Sequence, residues 1–328
     1  MNVQRPAALT LGFVLMLASA PGFAAGGGSD RSGAETPVLR AAQGVRQIAG
    51  GPNLAGIAQL NIVTKVQGTA AFRTAVDVSN NTNTEGIHVQ LQYCYTFNGA
   101  FVRCSDPYVL ALAAFSTFHT TDVVDLFGTN GLIPADAAAS SFGTLFAFFD
   151  HLPSQHGWEI TLSGRTYSNY SATDPSLGTL AIAYPGSDYS QSASQALVGV
   201  VHDTRANPTA EGALRTNLGI TNTDINVVGA VNVTIHFIDT TDGSPTKGLT
   251  VGNVLAMNGL QTGEVRQIND VFGAAHIPGG VTDAMVIAGV TGSPAHATIE
   301  GYIDTLSSGT QDGAYIALTC MDDDGCGN

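Results

Sequence analysis

Charge is what this 328-residue chain has least of: Asp, Glu, Lys and Arg together make up 12% of it, about half the usual share for a soluble domain. Lysine is almost absent, with Lys65 and Lys247 alone, which disfavours Schiff-base chemistry and phosphate binding by point charges. Twelve basic against 26 acidic residues give a net charge of −14. Such a chain repels phosphate backbones and anionic lipid, so nucleic acid is not expected as a partner. Nucleophile and nucleotide motifs are missing too: the sequence holds no GxSxG elbow, no HExxH and no phosphate loop of the GxxxxGKS or GxxxxGKT form. No helical periodicity is sustained over about 12 residues. What the chain does have is 44% hydrophobic residues, 39 glycines and 13 prolines. Disordered chains are charge-rich and apolar-poor, so disorder over the whole length is excluded. At roughly 150 residues per domain, the length fits two domains, each able to bury a core.

Met1 to Ala24 reads as an address. It carries one Arg (Arg5), an apolar run from Ala7 to Ala20, Pro21 as a breaker, and small residues Gly22 and Ala24 before a cut after Ala24. That is the pattern of a secretory signal peptide, too short for a membrane span. No later stretch approaches about 18 uninterrupted apolar residues, so no membrane span is expected in the mature protein. The segment has no cysteine for acylation, and the C-terminus LTCMDDDGCGN has no hydrophobic tail. The mature chain is expected to be secreted, extracellular or at the cell surface, with the periplasm as a further compartment.

The four cysteines agree with export. Cys94 and Cys104 bracket YTFNGAFVR, in which Asn98-Gly99 is a hairpin-turn signal. A two-residue loop by itself would place Cys94 opposite Arg103. A three-residue loop or a bulge would align the two cysteines for a cross-hairpin disulfide. Cys320 and Cys326 would close a second small loop. Four cysteines allow three pairings, and proximity favours 94–104 with 320–326. The rival, a four-thiolate zinc site, lacks CxxC spacing and sits badly in an oxidising compartment.

Residues 25–53 form a Gly-, Ala- and Ser-rich leader without a sustained period. Beyond it, short alternating runs between Gly, Asn, Asp, Ser and Pro clusters predict an all-β sandwich or barrel. Phe72, Thr74, Val76 and Val78 alternate with Arg73, Ala75 and Asp77; Ile87, Val89, Leu91, Tyr93 and Tyr95 alternate with His88, Gln90, Gln92 and Cys94. Period two assigns the first set of each to the core and the second to water. The second half repeats the first. FRTAVDVSN (Phe72–Asn80) lines up with LRTNLGITN (Leu214–Asn222), and IHVQLQ (Ile87–Gln92) with VNVTIH (Val231–His236). VVDLFG (Val123–Gly128) matches INDVFG (Ile268–Gly273), and ITLSGRTYS (Ile160–Ser168) resembles ATIEGYIDT (Ala297–Thr305). Four pairs in one order, ~140 residues apart, point to a duplication. It sets β-sandwich domains at 54–188 and 194–320, followed by an acidic, Cys-containing tail at 321–328.

The run ALVGVVHDTRANPTAEGALRTNLGITNTD (Ala196–Asp224) resembles the start of a repeat found in secreted and surface proteins of environmental bacteria. There, an FRTNLGLVN-like strand opens an Ig-like β-sandwich. GRTYSNYSATDPSLGTLAIAYPG (Gly164–Gly186) is similar to the closing pattern of that repeat, an RTYN strand, a polar turn and a Gly-led last strand. The resemblance covers both halves and implies two tandem antiparallel Ig-like sandwiches outside the cell. The repeat has no defined activity, so no catalytic residue carries over. The cysteine hairpin and the Asp-rich tail lie outside its pattern.

Candidate sites are few. His151 and His156, with Asp150 and Glu159 nearby, could take zinc or copper; their spacing matches no metalloprotease signature, and a solvated loop is the simpler reading. Asp322, Asp323 and Asp324, beside Gly325, could hold calcium, but consecutive side chains diverge and a solvated tail is simpler. Asp125/Asp270, Phe127/Phe272 and Gly128/Gly273 recur between the halves and read as structural: Asp caps a turn, Phe plugs the sandwich end, Gly supplies a positive φ. Tyr95, Phe97, Phe101 and Tyr108 around the first hairpin could form a sugar-stacking or protein-docking patch, although Tyr95 and Phe97 share the phase of the core. Scattered acids could meet as a glycosidase pair. No cofactor is expected. The leading expectation is a non-catalytic extracellular protein with a surface structural or adhesion role, self-assembling in one variant by β-augmentation. Its partners would be an extracellular polymer, a surface protein or copies of itself. The alternatives are a carbohydrate- or matrix-binding module and a secreted hydrolase with a dispersed acidic or His-based site.

Overall fold

The computed structural model describes residues 56–66, 71–82, 85–149, 160–169, 179–187, 196–210, 212–223, 230–291, 298–307 and 313–321. Residues 1–55, His151, His156, Asp322 to Asp324 and Cys326 lie outside these residues.

Strands dominate the described residues. The first half runs β1 (Gly56–Lys65), β2 (Arg73–Asn80), β3 (Ile87–Phe97), β4 (Ala100–Cys104), β5 (Tyr108–Leu112), β6 (Ser116–Thr120), two short helices α1 (Val123–Thr129) and α2 (Ala135–Ala139), then β7 (Ser141–Phe149), β8 (Ile160–Asn169) and β9 (Thr179–Pro185). The second runs β10 (Ala196–His202), β11 (Leu214–Asn222), β12 (Val231–Asp239), β13 (Leu255–Leu260), β14 (Val265–Ile268), α3 (Val271–Ala275), β15 (Asp283–Thr291), β16 (Ile299–Ser307), β17 (Gly313–Ala317) and β18 (Thr319–Cys320). The first half has one sheet ordered β5-β3-β7-β1, with β4 also on β3, and another ordered β6-β2-β8-β9. The second has β13-β12-β15-β10-β18 and β14-β11-β16-β17. The order is the same in both halves, and the pairing is antiparallel throughout. The fold is therefore all-β, built as sandwiches. In each half the first two strands lie in opposite sheets, whereas in an Ig constant domain they share one.

The alternation read from the sequence sets the cores. Val76 and Val78 of β2 face Leu60, Val89, Leu91 and Leu145, all fully buried in one cluster. Leu218 and Ile220 of β11 belong to the matching cluster with Val233, Ile235, Val286 and Ile303. The repeated Thr and Asn pin these layers together. The Thr74 hydroxyl accepts from the Thr64 amide (2.9 Å), donates to the Thr64 carbonyl (3.2 Å) and meets Thr166 Oγ1 at 2.8 Å. Thr216 does the same with His202 (3.0 and 2.7 Å) and Thr305 (3.3 Å). Each threonine thus ties its own sheet to the first strand of the opposite sheet. At the other end, Asn80 Nδ2 donates to the carbonyls of Leu112 and Ala113, and Asn222 Nδ2 to that of Leu260.

The hairpin resolves its register through a bulge. Asn98 and Gly99 form a two-residue turn with positive φ (51° and 76°), as a type I′ turn requires. The register then shifts between Tyr95 and Thr96, so that Cys94 pairs with Cys104 and the two are joined by a disulfide. Cys320 is disulfide-bonded as well.

Two expectations need correction. Asp125 does not cap its helix: Asp122 does, accepting from the Asp125 amide at 2.9 Å, while the Asp125 carboxylate meets Lys65 at 3.0 Å. Asp270 does cap α3, accepting from Gly273 N, and Phe127 and Phe272 are buried plugs. Neither Gly128 nor Gly273 has a positive φ; Gly128 is needed because a Cβ there would lie 2.4 Å from that of Ala138. The second correction concerns the side of β3 assigned to water. His88 is exposed, but Gln90, Gln92 and Cys94 are buried. Alternation defines two faces and does not say that one of them is wet.

Candidate functional site

A gathering of buried ionisable and polar side chains lies where the two sandwiches meet. On β16, Glu300, Tyr302, Asp304 and Leu306 point away from their own core, and Tyr302 belongs to the buried cluster of the first half. Glu300, 1% exposed, accepts from Asn61 Nδ2 of β1 at 3.1 Å and from Ser187 Oγ at 2.5 Å. Ser187 is held for this by two backbone bonds to Gln59 of β1. Tyr184 of β9, Tyr315 of β17 and Tyr302 of β16 form a row with ring centroids 5.3 and 5.6 Å apart, Tyr184 tilted against Tyr315 and Tyr315 stacked on Tyr302. Gly219 makes room for the row: a Cβ there would fall 2.1 Å from the Tyr302 ring. Tyr302 donates to Gln267 Oε1 at 2.6 Å, and Tyr184 to the Ile62 carbonyl.

Burial sets the electrostatics of this seam. It pushes the Asp304 carboxyl up to about 6, against the opposing pull of the Asn217 hydrogen bond (3.3 Å) and the Arg215 charge. Asp304 Oδ1 is buried without a hydrogen-bond partner. Burial raises the phenols of Tyr184 and Tyr302 and takes Tyr315 to about 12, so all three stay neutral donors. Glu300 and Asp304 are four residues apart on one strand, roughly 13 Å at the strand rise. That exceeds the carboxylate separations of retaining (about 5 Å) and inverting (about 6.5–9.5 Å) glycosidases.

Similar commitments recur at the helices. Lys65 lies 3.0 Å from both Asp122 and Asp125. In the second half Arg205 bridges Asp203 and Asp270, the latter at 2.6 and 2.9 Å. These cation–carboxylate clasps fasten the end of the first strand (Lys65) or the turn just after it (Arg205) to the helix N-terminus. Neither clasp was legible as a whole, because Lys65 and Asp125 lie 60 residues apart in sequence and Arg205 and Asp270 lie 65 apart.

The proposed aromatic patch does not form. Tyr95 is buried, and Phe97 and Tyr108 pack against the same core, with Tyr108 tilted onto Phe118 and Phe127. Phe101 lies on the other side of the sheet, against the disulfide, Phe146 and Phe148. The hairpin curls over its own core, as the phase of Tyr95 and Phe97 implied, so the four rings share no surface. The disulfide faces the second half instead: a Cβ on Gly263, in the β13–β14 turn, would lie 2.8 Å from Cys94 Sγ and 3.2 Å from Cys104 Sγ.

His151, His156, Asp322, Asp324 and Cys326 lie outside the described residues. Among the described residues no group of three or more His, Cys, Asp or Glu is placed to hold a metal. The residues that sequence reasoning missed are Asn61, Ser187, Glu300, Asp304 and the tyrosine row. The available signal was ATIEGYIDT, where the polar phase of the strand holds a tyrosine between two acids, an odd choice for a face meant for water.

No family model matches the chain, and no curated protein matches it. Among solved structures, a lectin from Pleurotus ostreatus in complex with GalNAc is similar at 10% identity, covering 81% of this chain and 85% of that chain, with a TM-score of 0.14. A likeness at that level carries no argument.

Proposed function

We propose that this chain is a non-catalytic extracellular protein with a structural or adhesive role at the cell surface. The observation that carries the reading is the seam, in which the buried Glu300 accepts from Asn61 and Ser187 and a row of three tyrosines spans both halves, joining the two sandwiches. A join of this kind suits a module that must hold its shape against other material. The disulfide-bonded Cys94, Cys104 and Cys320 fit an oxidising compartment, and the signal segment and the resemblance to surface repeats support the same location. No helix among the described residues is long and apolar enough to cross a membrane. The carbohydrate- or matrix-binding alternative leaned on the four hairpin aromatics, and with them dispersed it has no residue-level support. The partner class is an extracellular polymer, a surface protein or further copies of the chain.

The test is to follow the chain by antibody in producing cells. Recovery from the medium, or loss of the signal when intact cells are treated with protease, is the expected result. A signal confined to the cytosolic fraction and protected from protease overturns the proposal.

A further inference from the structure

The outer faces of the two corresponding sheets differ. In the first half, the outward residues Gln59, Gln92, Phe146 and Phe148 of β1, β3 and β7 are 0–1% exposed. In the second half, the outward residues of β10, β15 and β12 are Val198 and Val200, Met285 and Ile287, and His236 and Ile238. The register places Val200, Met285 and Ile238 in one row and Val198, Ile287 and His236 in the next. Val200 is 43% exposed, His236 is exposed and the other four are half-buried; none of the five apolar side chains belongs to either core cluster. Five apolar side chains in six adjacent outward positions are the reverse of what a solvated antiparallel face carries.

We propose that this face docks against the same face of a second copy of the chain, giving a two-fold dimer packed sheet on sheet. Three features favour a second copy. The chain has a net charge of −14, so copies repel one another generally, yet this block carries no acid; Asp283 at its border is paired to His202 at 2.6 Å. The β10–β15 and β12–β15 pairings run without a register shift, leaving a regular face of the kind that stacks about 10 Å from another sheet. The relief of β15 is also self-complementary. Its outward phase runs Asp283, Met285, Ile287, Gly289 and Thr291, with two bulky side chains and then a notch at its centre. A two-fold axis lying in the interface and crossing β15 at Ile287 sets Met285 of each copy over Gly289 of the other, and Asp283, already paired to His202, over Thr291. Two-fold pairing is the commonest closed symmetry. The leader is a poorer occupant, since it enters β1 on the other sandwich.

The inference stands apart from the surface role and is tested without cells, by the mass of the purified mature chain in solution across a dilution series. The expected result is a dimer whose mass halves in the Ile287→Glu variant, which puts two carboxylates together at the axis. The Val109→Glu variant, altered at a 50% exposed position on β5 of the first half, should remain dimeric. Thermal melts of the monomeric fractions confirm that Ile287→Glu is folded. A wild-type monomer at every concentration, or an Ile287→Glu variant that still dimerises, overturns the proposal.

Discussion

A carboxylate buried with one oxygen unpartnered costs stability whenever it is ionised, and Asp304 is such a group. Its carboxyl titrates near 6 when folded, against an ordinary value of 3.8. The folded state therefore holds the proton more tightly, and the penalty is absent below about pH 4 and complete above about pH 6. Stability should fall as pH rises through that window, by up to ~3 kcal/mol at about 1.4 kcal/mol per unit. Asp304→Asn should flatten this slope in urea unfolding series at pH 4 to 7; an unchanged difference between the two proteins across the window would refute the assignment. Thr74 and Thr216 make the second residue-scale case. Replacing either by Val leaves a backbone amide and carbonyl of the facing strand without their partner, and should cost about 1–3 kcal/mol in denaturant unfolding. Both threonines stood out in the sequence because they recur. Asp304 did not, because its neighbour Asn217 is 87 residues away and nothing local marks it as buried.

Among the elements, the β3–β4 hairpin was the most legible. The Asn-Gly turn and the cysteine spacing are local, and of the two ways the sequence left to align the cysteines, a three-residue loop or a bulge, the structure takes the bulge. The cover on its outer side is not local: Gly263 arrives from the second half, with φ +78° and its Cα against the disulfide. Gly263→Ala should therefore destabilise the chain, and more strongly with the disulfide present than in a Cys94→Ala/Cys104→Ala background. A coupling of about 0.5–3 kcal/mol is the expected size for contacting groups. Equal costs in the two backgrounds would mean that the backbone conformation alone demands glycine there. The helices show the limit of reading by repeat. Asp125 and Asp270 align in sequence, yet only Asp270 caps, because the first helix begins at Val123 and hands that task to Asp122.

For the whole molecule, the doubled strand order was visible in the order and spacing of four motif pairs, while the way the halves join was not. An outward-facing strand reads the same whether water or another sandwich lies over it. The Asn61–Glu300 bond ties the sandwiches directly, and Asn61→Asp would set two carboxylates against each other at a buried site, a change of about 3–5 kcal/mol. The wild-type chain should then unfold in one cooperative transition, and Asn61→Asp in two, or in one with a lower denaturant dependence. A single transition of unchanged slope in both would mean that the halves are coupled by something other than the seam.

The scarcity of lysine has a practical result at this scale. Lys65 is 15% exposed, gripped by two aspartates, and its ammonium is held above the ordinary lysine range by those bonds despite the opposing effect of burial. Lys247 is 52% exposed in a surface turn. An amine-reactive dye applied to the folded protein at mildly alkaline pH should couple at Lys247 and at the terminal amine while sparing Lys65, and should gain one further site on denaturation. Chemistry as unselective as acylation would thereby confine fluorophores to two known places, Lys247 on the second sandwich and the terminal amine, without an engineered cysteine to disturb the native thiol pairing.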